Sequence, residues 1–299
     1  MSANSPSMSW LETIRSYYDK RLLWVFMLGC SSGFPWVLIG SNMSGWLKDA
    51  GLTRAAIGYF GSVFAVYAIN FLWAPLVDRV KLPVLHAVLG QRRSWIFFCQ
   101  SLVLVSTLFI AGVDPSQNLM FTSMLALGIT IASATQDIAI DAFRIDTFPK
   151  SDSSKLPQAS AMAVIGWWTG YSLPGYVAFI NADSIGWNGV YYGMAAIVGI
   201  LMLFTLLVGE PTTNREALQQ QAEARHNKIV GSKTASWISV TVVEPFLDFF
   251  KRNGVKVAIT LLLFVFLFKI GEAFLGRMSI AFYKDCLLYT SDAADDSLG

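Results

Sequence analysis

Two acidic side chains, Asp137 and Asp141, lie four residues apart within a long apolar stretch of the sequence. In a helix this spacing places both carboxylates on the same face. A charge at the centre of a membrane helix costs about 3 kcal/mol, so acids in such a position are usually functional. We therefore expect Asp137, the deeper of the two, to carry protons; a structural ion pair with a loop arginine is the alternative. The neighbouring Gln136 points in another direction and is a candidate for hydrogen bonding to a polar substrate.

A cation and an acid, Lys269 and Glu272, lie three residues apart in the middle of a second apolar stretch. The two charges can neutralise one another and lower the cost of insertion into a membrane, which is a purely structural role. The other interpretation gives them separate functions: Lys269 binds an anionic or zwitterionic substrate, and Glu272 couples to protons.

Charged residues also cluster where the apolar stretches end, and an acid beside the arginines is not needed for anchoring alone. This pattern predicts a network of ion pairs between helices that locks one conformation and so acts as a gate. Anchoring of positive side chains at a membrane surface is the simpler alternative. The predicted members of the gate are Asp78, Arg79, Arg92, Arg93, Asp141 and Arg144.

Three aromatic side chains, Trp167, Trp168 and Tyr171, fall within another apolar stretch. Their rings suit stacking against sugar rings, and packing or lipid contact is the structural alternative. Asn70 is a further polar candidate for substrate binding. Glycines recur together with a proline in 29–35 and in 166–175. These small residues predict kinks and close packing of the two stretches within a membrane.

Enzyme chemistry finds little support in the sequence. His86 and His226 lie in predicted loops, and no Ser/His/Asp arrangement is visible, so we predict no catalytic residue, no metal site and no cofactor. Membrane transferases hold Mg²⁺ between phosphates on paired, closely spaced acidic motifs. Here Asp137, Asp141 and Asp146 are four and five residues apart, in a single copy. A membrane-embedded transferase is therefore the remote alternative.

A membrane-spanning scaffold must position these residues, and the amino-acid composition is typical of a membrane protein. Of the 299 residues 54% are hydrophobic and only 14% are charged, whereas a soluble domain carries about 25% charge. The abundance of Phe and Trp excludes disorder, and three Cys cannot supply a disulfide framework. The predicted fold class is all-α integral membrane. Runs of about 20 apolar residues, the length that crosses a bilayer, predict seven spans, named one to seven in chain order, at 22–46, 56–77, 94–113, 119–141, 158–181, 190–208 and 256–283.

Positive charge is distributed unevenly between the two sides of these spans. Seventeen Lys and Arg fall on the side of the N-terminus, and two, Lys48 and Arg54, fall on the other. Since cytoplasmic loops are enriched in Lys and Arg, the N-terminus is predicted to be cytoplasmic. An interfacial helix bent at Pro245 is predicted over 237–250. The predicted parts are a cytoplasmic N-terminal segment, a six-helix bundle, a cytoplasmic central loop, a seventh helix and a doubtful tail, at 1–21, 22–208, 209–255, 256–284 and 285–299.

Short segments distributed over 20–285 carry a family resemblance. They lie at 34–35, 71–79, 90–95, 132–142, 209–211 and 268–274, and the most specific are 132–142 (ASATQDIAIDA) and 268–274 (FKIGEAF). Together they resemble the AmpG-type muropeptide permeases of Gram-negative bacteria, which belong to the major facilitator superfamily. The tail is different, because 287–296 resembles translated sequencing-adapter read-through. We therefore expect native sequence to end near Asp285, so that the chain is the N-terminal bundle of a transporter plus one helix.

The resemblance implies a function. It implies a proton-coupled secondary transporter of the bacterial inner membrane that imports anhydromuropeptides, which are peptidoglycan fragments, from periplasm to cytoplasm for wall recycling. The implied partners are the muropeptide, protons and the lipid bilayer, with no nucleic acid, and the full-length protein is expected to be a monomer. A major facilitator transporter of another solute, such as acetyl-CoA, a peptide or an oligosaccharide, is the alternative.

Overall fold

The fold is helical throughout the part of the chain that the computed structural model describes, which is residues 17–211, 237 and 239–285. Helices and short turns account for these residues, and no strand occurs among them. Five of the helices are long and apolar enough to cross a membrane. The all-α integral membrane class predicted from the sequence is confirmed. The five helices are Lys20–Asp49, Arg54–Leu72, Gln91–Ala111, Leu119–Thr147 and Leu156–Leu207.

The fifth of these helices contains two spans. Leu156–Leu207 has 52 residues, about 78 Å at 1.5 Å per residue, far more than the roughly 30 Å of a bilayer core. Its path is broken at Gly186, whose φ of +71° is left-handed. Spans five and six are therefore 156–185 and 187–207. The predicted bounds, 158–181 and 190–208, left eight residues between these spans, whereas in the structure only Gly186 departs from helical geometry. Directly after the glycine, the Trp187 indole donates to Asp49 at 2.8 Å and ties this end to span one.

Spans two and four also differ from their predicted lengths. Span four continues to Thr147, so Asp146 is still helical. Span two ends in a 3-10 turn at Asn70–Leu72, and a separate helix follows at Ala74–Arg79. Pro75 lies in the first turn of that second helix, where its missing N–H costs nothing. The proline thus explains why the predicted continuous helix is divided. A short helix at Leu85–Leu89 leads to span three.

Spans one and five pack backbone against backbone, as the glycines predict. A Cβ atom added to Gly33 would lie 2.1 Å from the carbonyl oxygen of Trp167. One added to Gly170 would lie 2.1 Å from the carbonyl oxygen of Cys30. Only glycine permits this approach, which brings the side chains next to the glycines into fixed positions between the two helices.

Span one is not a uniform α-helix. Its middle, Leu38–Asn42, is π-helical and follows Pro35, with α-helices at Lys20–Val37 and Met43–Asp49 on either side. The hydroxyl of Tyr191 in span six donates to the Leu38 carbonyl oxygen at 2.6 Å. Side-chain contacts of this kind compensate carbonyls that an irregular membrane helix releases.

The described chain resumes with a short π-helix at Ser239–Val243 and then a helix at Glu244–Asn253, which we call the linker helix. Pro245 lies in the first turn of the linker helix, so it starts this helix rather than bending it. Gly254 has a φ of +73° and separates the linker helix from span seven, Val255–Asp285. Span seven packs on span two and on the C-terminal end of span one. The predicted tail after Asp285 and most of the predicted N-terminal segment lie outside the described residues.

Candidate functional site

A buried arginine is the centre of the charge network. The Arg92 side chain at the start of span three is only 4% exposed, and its guanidinium binds two carboxylates. The Nη1 atom lies 2.5 Å from Asp78 Oδ1, and the Nε atom lies 2.9 Å from Asp146 Oδ2. The network therefore joins the end of Ala74–Arg79 to the ends of spans three and four. Two of the predicted members, Asp78 and Arg92, are brought together, and Asp146 is a member that the prediction missed.

Asp141 and Arg144 do not belong to this network, which corrects the prediction. They form their own pair within span four, with Arg144 Nη2 3.0 Å from Asp141 Oδ1, and the Asp141 side chain is 65% exposed. The geometry of the helix explains the exclusion. Asp141 and Asp146 are five residues apart and so point about 140° away from one another. Only one of the two can face Arg92.

Arg93 binds the end of span six instead of a carboxylate. Its Nε atom donates to the Thr205 carbonyl oxygen at 3.0 Å, and its Nη2 atom donates to that of Leu206 at 2.5 Å. A cation at a helix C-terminus satisfies carbonyls that have no partner within the helix. The contact holds spans three and six together at the membrane surface.

Glu210 makes the reciprocal contact, and the sequence prediction missed it. Its carboxylate accepts the backbone N–H groups of Arg92 at 2.7 Å and Arg93 at 3.1 Å, so it caps span three. Burial raises the pKa of the Glu210 carboxyl, and the two backbone hydrogen bonds partly oppose that rise. Gly90 leaves room for the cap, because a Cβ there would lie 2.5 Å from Glu210 Cγ. The only sequence signal was the position of Glu210 between a glycine and a proline.

Arg79 reaches the segment that precedes the linker helix. Its Nη1 atom donates to Thr241 Oγ1 at 2.5 Å and to the Trp237 carbonyl oxygen at 3.5 Å. These bonds attach the chain before span seven to the end of Ala74–Arg79. Arg79 therefore links the first six spans to the segment leading to span seven.

The Asp137 carboxylate contacts span one. The Ser32 hydroxyl donates to Asp137 Oδ1 at 2.6 Å, and both side chains are half-buried. Ser32 was not singled out by the sequence, although it lies in the glycine-rich part of span one. This hydrogen bond joins the Asp137 carboxylate of span four to span one.

The Gln136 amide, predicted to contact substrate, is bonded to span one in this structure. The side chain is buried, and its Nε2 atom donates to the Ser31 carbonyl oxygen at 3.0 Å and to Ser31 Oγ at 3.1 Å. Gln100 of span three donates to the same hydroxyl at 2.7 Å. Successive helix residues turn by about 100°, so Gln136 faces the span-one backbone while Asp137 does not. Its amide joins helices.

The aromatic residues form a connected cluster between spans one, two and five. Trp167 stacks on Tyr171 with ring centroids 5.5 Å apart, and Trp168 meets Trp167 edge-on at 5.1 Å. Trp36 of span one lies 5.8 Å from Trp167 and 4.6 Å from Tyr67 of span two. Trp167, Tyr171 and Trp36 are half-buried, and Trp168 is 57% exposed. The predicted aromatic residues are thus brought together, with Trp36 and Tyr67 added.

Asp137 and the aromatic cluster lie on one face of the bundle. Trp36 follows Ser32 by four residues, and Asp137 follows Ser133 by four residues. The Tyr67 hydroxyl donates to Ser133 Oγ at 2.7 Å, so the aromatic contact lies one helical turn, about 6 Å, from the Ser32 contact with Asp137. The arrangement places the stacked rings of Trp167 and Tyr171 and their aromatic neighbours on the same face as an ionisable group.

The remaining predicted site residues are Asn70, Lys269 and Glu272. Asn70 is half-buried in the 3-10 turn that ends span two, and among the described residues its side chain makes no hydrogen bond. The backbone of Lys269 and Glu272 is helical within span seven, but their side chains lie outside the described part of the chain. Their roles stay predictions.

Several helices long and apolar enough to cross a membrane are typical of a multi-pass membrane protein. The sequence matches the Major Facilitator Superfamily over residues 25–284, and the chain belongs to that family. The family consists of transporters rather than enzymes, in agreement with the prediction that no enzyme is present.

Relatives with descriptive names share most of the chain. It is 35% identical over 269 residues to "Putative transporter AmpG 4" of Rickettsia felis, covering 89% of this chain and 60% of the relative. It is 36% identical over 275 residues to the protein of that name in Rickettsia conorii, covering 91% and 62%. It is 32% identical over 272 residues to the "Anhydromuropeptide permease" of Escherichia coli strain K12, covering 91% and 50%. The chain thus spans between half and two thirds of the length of these relatives. No solved structure matches it.

Proposed function

We propose that this transporter imports anhydromuropeptides across the bacterial inner membrane, from periplasm to cytoplasm, together with protons. One observation carries the proposal: on one face of the bundle, the half-buried Asp137 carboxylate lies about one helical turn from the buried hydrogen bond between Tyr67 of the aromatic cluster and Ser133. A muropeptide combines sugar rings with a charged peptide, and this face offers a surface for the first beside an ionisable group. The similarity to a protein named anhydromuropeptide permease supports the substrate class.

In this proposal the sugar rings stack on the cluster around Trp167, Trp168 and Tyr171. The peptide part, which carries amides and carboxylates, takes its partners from Asn70 and from Lys269 of span seven. Gln136 is not included, because its amide is occupied between helices.

Protons enter the cycle at Asp137, with Glu272 as the second candidate. Ser32 holds the ionised form of Asp137 through the 2.6 Å hydrogen bond, and protonation removes the negative charge that this bond stabilises. A change of charge beside the bound substrate is what links proton movement to substrate movement.

The gate in this proposal is the set of contacts around Arg92. Asp78, Arg92 and Asp146 hold the ends of spans three and four and of Ala74–Arg79 together, while Arg79 and Arg93 attach the linker segment and span six. The excess of Lys and Arg on this side supports a cytoplasmic position for the gate and for the N-terminus. Alternating access then requires these contacts to break when the site opens to the cytoplasm.

The proposal is tested by uptake of radiolabelled anhydromuropeptide into proteoliposomes that contain the product of the complete open reading frame. We expect accumulation when an inward proton gradient is imposed, and collapse of accumulation when a protonophore is added. Unlabelled acetyl-CoA, oligopeptide and oligosaccharide serve as competitors. Muropeptide uptake that is absent, or equally fast without a gradient, contradicts the proposal, and uptake of one of the competitors in its place identifies the alternative function.

A further inference from the structure

Three cations near the start of span seven have no protein partner in the described part of the chain. Lys251, Arg252 and Lys256 are exposed, and their side chains form no hydrogen bond or ion pair with the described residues. Other cations on the same side are occupied by carboxylates or carbonyls. Those cations are Arg21, Arg79, Arg92, Arg93, Arg144 and Lys155.

The position of the three cations along the chain fixes their depth. Lys251 and Arg252 occupy the last turn of the linker helix, and Lys256 lies in the first turn of span seven, just after Gly254. The apolar part of span seven, Val255–Phe268, begins at the same point. Because that segment enters the hydrocarbon core, the cations beside its start lie at the level of the lipid headgroups.

The junction between the short π-helix and the linker helix also exposes apolar side chains. Val243 and Leu247 lie one turn apart on one side of the segment and are 44% and 47% exposed. The hydrogen bonds from Arg79 to Trp237 and Thr241 hold this segment against the end of Ala74–Arg79. An anchored helix with exposed apolar side chains and a basic end has the properties of a helix that lies in the membrane interface.

We propose that Lys251, Arg252 and Lys256 form a binding site for the phosphate groups of anionic phospholipids in the inner leaflet. Charge complementarity carries the choice of occupant: the site combines three cations with adjacent apolar side chains, and an anionic phospholipid combines a phosphate with acyl chains. This site is separate from the transport face and does not depend on the identity of the transported solute.

The test is native mass spectrometry of the complete protein, titrated with phosphatidylglycerol or with phosphatidylcholine. We expect retention of phosphatidylglycerol over phosphatidylcholine, and a loss of affinity of about five-fold for each cation removed in Lys251→Gln, Arg252→Gln and Lys256→Gln. The matched control, Lys251→Arg, Arg252→Lys and Lys256→Arg, changes each side chain but keeps its positive charge. It should keep the preference for phosphatidylglycerol. Circular dichroism and melting temperature show whether each triple variant is folded.

Three results would overturn the site. The unchanged protein could retain both lipids equally, which contradicts recognition of a charged headgroup. The variant with all three glutamine substitutions could retain phosphatidylglycerol as well as the unchanged protein does. That result would mean that another part of the chain neutralises the cations. An excess of inorganic phosphate could displace the lipid completely, which would identify a site for free phosphate instead. Loss of lipid preference with transport intact separates this inference from the proposed function.

Discussion

Replacement of Gly170 by alanine tests the close contact between spans one and five. The added Cβ would lie 2.1 Å from the Cys30 carbonyl oxygen and 2.7 Å from the carbonyl carbon and Cα of Cys30. All three atoms are backbone, so no side chain can rotate away from the new methyl group. The two helices themselves have to separate.

The size of the effect follows from the required separation. A carbon atom normally approaches a carbonyl oxygen to about 3.3 Å, so the helices must move apart by roughly 1.2 Å. Overpacking costs typically about 1–3 kcal/mol, and we expect the upper end because both partners are rigid. At about 2 °C per kcal/mol for a protein of this size, the melting temperature should fall by roughly 6 °C. The same movement displaces Ser32 from Asp137, so transport should fall with stability.

The assay is thermal unfolding in detergent, followed by tryptophan fluorescence, with Gly193→Ala as the matched control. Gly193 is a helical glycine of span six, and no atom lies within 4 Å of the position that a Cβ would take there. Alanine there should be neutral or stabilising by up to about 1 kcal/mol, because it has the higher helix propensity. Equal melting temperatures for the two variants would refute the backbone contact between spans one and five.

Three further predictions concern stability. Arg92→Leu leaves two carboxylates without their cation and should destabilise the fold by about 3–5 kcal/mol in denaturant titration; a change below about 1 kcal/mol would argue against a buried ion pair. Asn42 is fully buried with no hydrogen-bond partner for either amide atom among the described residues, so Asn42→Leu should stabilise by about 1–3 kcal/mol, and a lower melting temperature would contradict this. The hydrogen bond from Arg21 holds the pKa of Asp19 well below its usual value of 3.8. The resulting stabilisation is present above the unfolded-state pKa and lost as pH falls below about 4, so Asp19→Asn should flatten the acid limb of a stability-versus-pH curve.

Much of the fold was predictable, because bilayer thickness fixes the length of a span. The break at Gly186 was not, since one left-handed residue can reverse a chain without any polar loop. The division of span two at Trp73 could have been anticipated from Pro75, whose effect on the preceding residue is local.

The candidate site was predictable in type and less so in pairing. The sequence identified Asp137 and Arg92 because charges near apolar runs are costly. It could not choose between Asp141 and Asp146 as partners of Arg92, since the choice depends on the rotation of span four against span three. The contact between Gln136 and span one was not predictable for the same reason, because only the packing shows which helix face meets span one.

The central claim is that Asp137 couples protons to transport at a face shared with the substrate. Its most direct test compares Asp137→Asn with Asp141→Asn. Asp141 lies one helical turn from Asp137, is exposed and forms an ion pair within its own helix. We expect Asp137→Asn to abolish accumulation of labelled anhydromuropeptide driven by a proton gradient, while exchange of labelled for unlabelled substrate continues. Asp141→Asn should retain both activities. Gradient-driven accumulation by Asp137→Asn at the rate of the unchanged protein, or equal losses in the two variants, would contradict the claim.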